Sequence, residues 1–320
     1  MTAGLPDNVT DCFERFITTE YTTIDSRQQP ITWPVTPYYS KGAGSIDVTT
    51  GLGYPKKADD ARRNPHVALL FSEPIGSGIE SQIQVLVQGV ADVDERDLSA
   101  NRKRYATESA IKLPATKDMH PPQFMQTVFE WYYTRIYIKV RPERVFVWAG
   151  GDLSQPPEIL GARLDEVRSG HSEEPLEPHV AAAGGATAWD ARIDELGTRH
   201  RTAVLSWVGP DGFPLAVRVP VAPDRDSQRI ELGATAAGLP IIDGRACLTA
   251  HTHAPDFTWQ ENFQVRGDLV ATAGGWALVP HKLVGGFEVP DSALGRYRSF
   301  MSKHWRFYKT ARARRGGSNA

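Results

Sequence analysis

The feature that most constrains the fold is an internal repeat: the order of elements in the first half of the chain returns in the second half. The first half reads as a short helix over about 9–17, followed by the β-rich runs EYTTID, ITWPVTPYY, SIDVTT, HVALLF, QIQVLVQGVADV and TRIYIKV with RVFVW. The second half offers AWDARIDEL as its helix, then TAVLSWVGPDGFPLAVRVPV, RIELGAT, GRACLTAH, ENFQVRGDL and ALVPHKLVGGF. Pro214 stands for Pro30 and Gly267 for Gly89, at an offset of about 180 residues. Self-similarity in order across a whole domain predicts two copies of one unit.

Each copy is predicted to be an antiparallel barrel. Turn-forming residues separate six short strands, and helix-like spacing interrupts the first copy over about 94–131. Closing such a sheet removes its exposed edges. The stretch 151–187 is rich in Gly, Pro, Ala and acidic residues and reads as a linker. The predicted organisation is therefore a first domain over 1–150, a linker over 151–187, and a second domain with a basic tail over 188–320.

Composition excludes several classes of protein. The 320 residues carry a formal net charge of -2, which argues against a nucleic-acid coat. No apolar run approaches the roughly 18 residues that span a bilayer, and the N-terminus lacks the pattern of a secretory signal. Cys12 and Cys247 form no metal-spaced pair, which fits a reduced cytosol. His251 and His253 share one face of a strand, but such pairs are common without metal. We expect a cytoplasmic protein with no membrane partner and no metal site.

The strongest local signal is the segment DVTTGLGYPKK, residues 47–57. A strand ends in two hydroxyl side chains, turns through two glycines, and delivers two lysines as a helix begins. Phosphate binding uses that combination of hydroxyl donors, backbone N–H groups, a helix N-terminus and a cation. The alternative is an ordinary strand–turn–helix whose lysines are solvated.

This segment and three others resemble the FMN-binding split β-barrel family of pyridoxamine 5′-phosphate oxidase. In that family a phosphate-binding Lys precedes a short helix, an Asn-Pro and the next strand, as Lys57, Pro65 and HVALLF do here. ITWPVTP resembles the strand that runs along the flavin ring, QVLVQG the family's Q-V-x-V-x-G strand, and RPERVFVW its closing strand. The resemblance covers about residues 10–150. It implies a mainly β fold of two tandem six-stranded split β-barrels with helical insertions.

The resemblance also implies roles for eight residues. Lys57 would hold the cofactor phosphate with Lys56 beside it, and the hydroxyls of Thr49 and Thr50 would donate to that phosphate. Trp33, Pro34 and Val35 would lie along the flavin edge, and the amide of Gln84 would reach the pyrimidine edge of the ring. The turn is one residue longer than the family pattern, so either Thr49 or Thr50 is the phosphate contact. No catalytic side chain is implied.

The second copy lacks the phosphate-binding residues. Its equivalent segment GATAAGLPIIDGR places Ile241 and Ile242 near the positions of the two lysines. An apolar pair does not neutralise a phosphate. Because the family usually forms homodimers with cofactors between barrels, the chain is predicted to be an intramolecular pseudo-dimer with one working site. Pairing of two chains into a homodimer stays open. The basic C-terminal segment is expected to pack as an amphipathic helix, with RNA, an acidic partner or cover of the cofactor as alternatives.

The sequence thus predicts a flavin-dependent oxidoreductase that binds FMN, or alternatively coenzyme F420, and transfers hydride to or from a small organic substrate. The substrate is expected near Trp33, the segment EWYYTR and the tail. Oxidation of pyridoxamine phosphate itself is disfavoured, because Arg135 and Tyr137 lie in a different frame from the family's substrate signature. The competing prediction is a non-enzymatic protein that sequesters flavin or haem, or a barrel scaffold.

Overall fold

The computed structural model describes residues 4–115, 129–161, 189–233, 236–286 and 305–315. The chain is mainly β, as the sequence predicts. Its helices are α1 (Asp7–Arg15), α2 (Lys56–Arg63), α3 (Leu98–Lys112), α4 (Glu130–Tyr133) and α5 (305–315). Its strands are β1 (Thr19–Ile24), β2 (Pro30–Val35), β3 (Ile46–Gly51), β4 (His66–Phe71), β5 (Gln84–Asp94), β6 (Arg135–Trp148), β7 (Glu158–Gly161), β8 (Thr202–Val208), β9 (Pro214–Asp224), β10 (Arg229–Leu232), β11 (Gly244–His253), β12 (Gln260–Thr272) and β13 (Gly275–Gly285).

The two sheets have the same strand order. In the first half the order is β2-β1-β4-β5-β6-β3, with β7 added to β6, and in the second it is β9-β8-β11-β12-β13-β10. The halves differ at one seam. The second sheet closes into a barrel because β9 pairs with β10 through four residue pairs. The corresponding strands β2 and β3 form no ladder, and an isolated bridge joins Tyr38 to Asp47 just beyond β2. The first barrel is therefore open along this seam.

Strand β4 explains how the two halves pack together. Its run HVALLF is apolar on both faces, as in strands that are buried from both sides. Val67 and Leu69 lie in the core of the first half, whereas Ala68 and Leu70 lie in a cluster with the core of the second barrel. The two halves are thus held together by a shared apolar cluster rather than by a polar contact surface alone.

A glycine in each half permits a bulge. Gly89 lies opposite Pro142 and Gly267 opposite Pro280, each where the ladder register shifts. A Cβ atom on Gly89 would lie 2.3 Å from the carbonyl oxygen of Arg141. The same clash, also 2.3 Å, would arise at Gly267.

We expect Gly89→Ala and Gly267→Ala each to lower the free energy of unfolding by about 1–3 kcal/mol, because the backbone must shift to admit the methyl group. Urea unfolding measures the change. Gly44→Ala is the matched control, since a Cβ atom there meets nothing within 4 Å and its stability should stay within about 0.5 kcal/mol of the wild type. If Gly89→Ala left the free energy of unfolding unchanged, the result would contradict the close packing assigned to this bulge.

Three segments differ from the sequence-based expectation. The predicted linker, 151–187, contains strand β7, which pairs with β6, while residues 162–188 lie outside the described residues. The described part of AWDARIDEL, residues 189–196, forms only a 3-10 turn, Ile193–Glu195, and Gly197 follows with a positive φ of 79°. Helix α5 packs on the first half rather than the second, with Ala311 buried in the first core. No described helix is long and apolar enough to cross a bilayer.

Candidate functional site

The open seam has predicted site residues in both of its strands. Trp33, Pro34 and Val35 lie in β2, Thr49 and Thr50 lie in β3, and the isolated bridge between Tyr38 and Asp47 is antiparallel. Strand β2 is suited to an open edge. The carbonyl of Thr32 accepts hydrogen bonds from second-barrel side chains and so points away from β1. Pro34, two residues on, lies at the same edge, where its missing N–H removes no ladder hydrogen bond.

The side chains of the two threonines lie on opposite faces of β3. Thr50 lies on the same face of β3 as the core residue Val48, is fully buried, and donates its hydroxyl to the carbonyl of Tyr54 at 2.8 Å. Thr49 lies on the opposite face, is half-buried, and makes no side-chain hydrogen bond within the described chain. Thr49 is thus the hydroxyl that remains available to a ligand.

The two lysines also differ in their surroundings: Lys56 has a carboxylate partner and Lys57 has none among the described residues. Lys56 is exposed and pairs with Asp60 at 2.8 Å, a spacing of four residues along α2. Lys57 is half-buried, has no carboxylate partner among the described residues, and holds its Nζ 5.7 Å from the centre of the Tyr54 ring. Burial, together with the positive charge of Arg135, lowers the pKa of Lys57 to about 8. A bound anion would therefore stabilise the charged form of Lys57.

Arg135 belongs to the same cluster and was not among the predicted site residues. It is the first residue of β6, lies opposite Gly51, and is only 6% exposed. Its guanidinium donates to the hydroxyls of Tyr54 and Tyr105, at 2.8 Å each, and lies 4.2 Å from the ring centres of Tyr105 and Tyr132. We call this group the cationic cluster; its members are Lys57, Arg135, Tyr54, Tyr105 and Tyr132.

The glycines of the loop serve close packing rather than phosphate contact. The N–H of Leu52 donates to the carbonyl of Thr134 and that of Gly53 to the carbonyl of Trp131, both at 3.0 Å. A Cβ atom on Gly53 would lie 2.7 Å from the Cβ of Phe307 in α5. The expectation that glycine frees these N–H groups for a phosphate is wrong for these two residues. In the first turn of α2, by contrast, the N–H groups of residues 56 and 57 make no hydrogen bond within the described chain.

Aromatic side chains cover this end of the first half. Phe307 lies 5.4 Å from Tyr54 and 5.1 Å from Trp131 between ring centres. Arg314 anchors α5 by ion pairs to Asp59 at 2.8 Å and to Glu95 at 3.0 Å. The basic C-terminal segment therefore packs as a helix beside the loop that carries Lys57.

Gln84 lies away from the cationic cluster. It stands opposite Trp148 at the far end of β6, whereas Gly51 stands opposite Arg135 at the near end. The two positions are about 40 Å apart along the strand. The Gln84 amide is bonded to the main chain of Arg218 in the second barrel, through N–H to Oε1 at 3.1 Å and Nε2 to O at 3.4 Å. The structure thus places this amide in the contact between the halves.

Among its described residues, the second half has no equivalent of the cationic cluster. Ile241 packs against the core of the second barrel and Ile242 is exposed. The two histidines of β11 bond to the first half: His251 to Glu20 at 2.7 Å and His253 to Thr18 at 3.2 Å. Among the described residues, no three potential ligands are grouped as a metal site.

A cavity of about 250 Å³ borders the bridged end of the seam. Its lining combines Tyr38 and Asp47 from the seam with Arg104 and Lys112 from α3. The α3 insertion has no counterpart in the second half, where β12 and β13 are joined by a tight turn. The first half alone therefore has both an open seam and a bordering cavity.

Comparison with known proteins gives similar solved structures but no family model and no curated protein that matches. One structure is a protein from Listeria innocua assigned as a pyridoxamine 5′-phosphate oxidase (19% identity, 45% of this chain, 97% of that chain, TM-score 0.32). Another is an F420 reductase (16%, 44%, 98%, TM-score 0.33). A third is the haem storage protein HutZ from Vibrio cholerae (16%, 46%, 94%, TM-score 0.32). The names of the similar structures include the pyridoxamine 5′-phosphate oxidase family, which the first half of the sequence resembles.

Proposed function

We propose that the first half binds a phosphate-bearing flavin-type cofactor, FMN or coenzyme F420, and that the protein is an oxidoreductase acting on a small organic substrate. One observation carries the proposal: Lys57 and Arg135 share an aromatic cluster in which no described carboxylate faces either cation. Unbalanced charge in a partly buried site is unfavourable. A phosphate relieves it, and the first turn of α2 and the hydroxyl of Thr49 offer further donors to the same anion.

Of the residues that the sequence nominated, Lys57 and Thr49 are thus the proposed phosphate contacts. Lys56 and Thr50 are committed to Asp60 and Tyr54. Trp33, Pro34 and Val35 are the last three residues of β2, along which the ring of the cofactor would lie. When bound, such a cofactor supplies the hydride chemistry itself.

The role of the chain is to hold, orient and shield the cofactor. Trp131 and Phe307 exclude water from the loop end, and Tyr54 lies against Gly51, where a Cβ atom would be 2.6 Å from its ring. The cavity beside Tyr38 offers space for a substrate near the seam. The apolar segment at Ile241 is the reason to propose one working site in the chain rather than two.

The purified protein tests the proposal through its visible spectrum and the compound that denaturation releases. We expect a flavin or deazaflavin spectrum, release of FMN or F420, and bleaching of the spectrum when a reductant is added. A haem Soret band would support sequestration instead, and a colourless protein that binds none of these on titration would support a scaffold.

A variant pair locates the site. Lys57→Ala should lose the cofactor during gel filtration, because the phosphate loses its ammonium partner. Lys56→Ala is the matched control and should retain it, since Lys56 pairs with Asp60. Equal retention by wild type and Lys57→Ala would overturn the site assignment.

A further inference from the structure

Arg135 is a buried charge with neutral partners. Its two terminal nitrogens donate to tyrosine hydroxyls, its face stacks on tyrosine rings, and its buried Nε has no hydrogen-bond partner. The other deeply buried arginines of the described chain each meet a carboxylate: Arg144 meets Asp211 at 2.5 Å and Arg218 meets Glu20 at 2.9 Å. Arg135 thus departs from the way this protein otherwise buries a guanidinium.

Lys57 is a second cation of this cluster without a described carboxylate partner. The Tyr54 side chain lies beside both cations, since the Lys57 Nζ is 5.7 Å from the centre of its ring and its hydroxyl accepts a hydrogen bond from Arg135. The carboxylates of α2 pair elsewhere: Asp60 pairs with Lys56 and Arg63, and Asp59 pairs with Arg314. Two positive charges therefore stand together without a described negative charge to balance them.

We propose that Arg135 is the second cation of the phosphate site, and that the site selects a dianionic phosphate monoester, as in FMN, over a phosphodiester, as in coenzyme F420. The inference rests on the proposed function. A phosphate monoester has a second pKa near 6 and carries about two negative charges at pH 7.5. A diester has no second ionisation and carries one. Two fixed cations match the first ligand, whereas a diester leaves one cation unbalanced.

Because Arg135 is held rigidly, the selectivity between a phosphate monoester and a diester depends on the charge of the ligand. The guanidinium stays protonated, and the two hydroxyls and two rings around it fix its position. The groups that face the pair are all tyrosines and none is a carboxylate: Tyr54 from the loop, Tyr38 from the segment after β2, Tyr105 from α3, and Tyr132 and Tyr133 from α4. A second negative charge on the ligand is therefore the neutralisation that the chain itself does not supply.

Three ligands with the same ring test the proposal by fluorescence titration of the apoprotein: FMN, the monomethyl ester of its phosphate, and riboflavin. We expect wild type to bind FMN about tenfold or more tighter than the ester, and the ester tighter than riboflavin. Below pH 6, where FMN becomes a monoanion, the preference for FMN over the ester should disappear. Equal affinities for FMN and the ester at pH 7.5 would overturn the inference, while a large gap to riboflavin would leave the proposed function standing. Equal affinities for all three would overturn both.

Substitutions assign the preference to Arg135. Arg135→Gln should bring the FMN-to-ester ratio to about one with little change in ester affinity, and Arg135→Lys should preserve most of the ratio. If Arg135→Gln weakens both ligands equally, Arg135 supports the fold instead and the inference fails. Should Arg135→Gln not fold, Tyr105→Phe removes only an anchoring hydroxyl. It should lower the same ratio, and an unchanged ratio would count against the inference.

Discussion

Replacing Lys57 by methionine should make the apoprotein more stable while it abolishes retention of the cofactor. Burial and the charge of Arg135 lower the Lys57 pKa from 10.5 to about 8, so folding works against its charged form. Methionine keeps the length of the side chain and its contact with Tyr54 without the charge. We expect a gain of about 1–3 kcal/mol in the free energy of unfolding at pH 7, discounted for the partial exposure of the side chain.

The pH dependence has a definite sign. Between pH 8 and 10.5 the unfolded chain binds more protons at Lys57 than the folded chain does, so the contribution of this residue to stability rises with pH. The penalty is fully present below pH 8. The advantage of Lys57→Met should therefore be largest at pH 7 and vanish by about pH 10.5.

Urea unfolding of the apoproteins at pH 7, 9 and 10 measures this effect. Lys56→Met is the matched control; because Lys56 is exposed and paired with Asp60, its loss should not stabilise the protein. A destabilised Lys57→Met apoprotein would show that Lys57 serves the fold rather than a ligand.

Removing Glu20 should be among the most damaging substitutions in the chain. Glu20 is fully buried in the contact between the halves, where it accepts from Arg218 at 2.9 Å, His251 at 2.7 Å and Ser72 at 3.0 Å. Burial alone would raise its pKa, but the His251 hydrogen bond and the Arg218 charge outweigh it, so the pKa of Glu20 falls below its ordinary 4.5. Glu20 is therefore ionised at neutral pH.

We expect Glu20→Ala to lower the free energy of unfolding by about 3–5 kcal/mol, because Arg218 loses its fully buried partner and keeps only Glu73, at 3.8 Å. The double variant Glu20→Leu/Arg218→Leu should lose less than Glu20→Ala, since it removes both charges of the closest buried pair. Asp7→Ala is the control for a surface ion pair, because Asp7 and Lys41 are 89% and 71% exposed, and it should change stability by less than about 1 kcal/mol. A double variant as unstable as the sum of its single variants would contradict this account.

Much of the fold is visible in the sequence because special residues mark the same points in both halves. Pro30 and Pro214 begin β2 and β9, and Gly89 and Gly267 mark the bulges. The open seam is not visible. Strands β3 and β10 have similar patterns, and whether each meets its neighbour depends on packing between distant segments.

The candidate site was predictable only in part. Alternation along β3 places Thr50 with the inward-facing Val48, and the i,i+4 spacing of Lys56 and Asp60 signals an ion pair, so both distinctions were available from the sequence. The position of Gln84 depends on how the second half docks, which no local pattern encodes. Arg135 looks like an ordinary outward residue of β6, and only the tyrosines of α3 and α4 that cover it set it apart.

The most direct test of the central claim, that Lys57 holds a cofactor phosphate in the first half, compares FMN with riboflavin on wild-type and Lys57→Ala apoprotein. The two ligands share the ring and differ in the phosphate. We expect wild type to bind FMN about 100-fold tighter than riboflavin, and Lys57→Ala to lose most of this difference while its riboflavin affinity is unchanged. Equal binding of FMN and riboflavin by wild type, or an unchanged difference in Lys57→Ala, would contradict it.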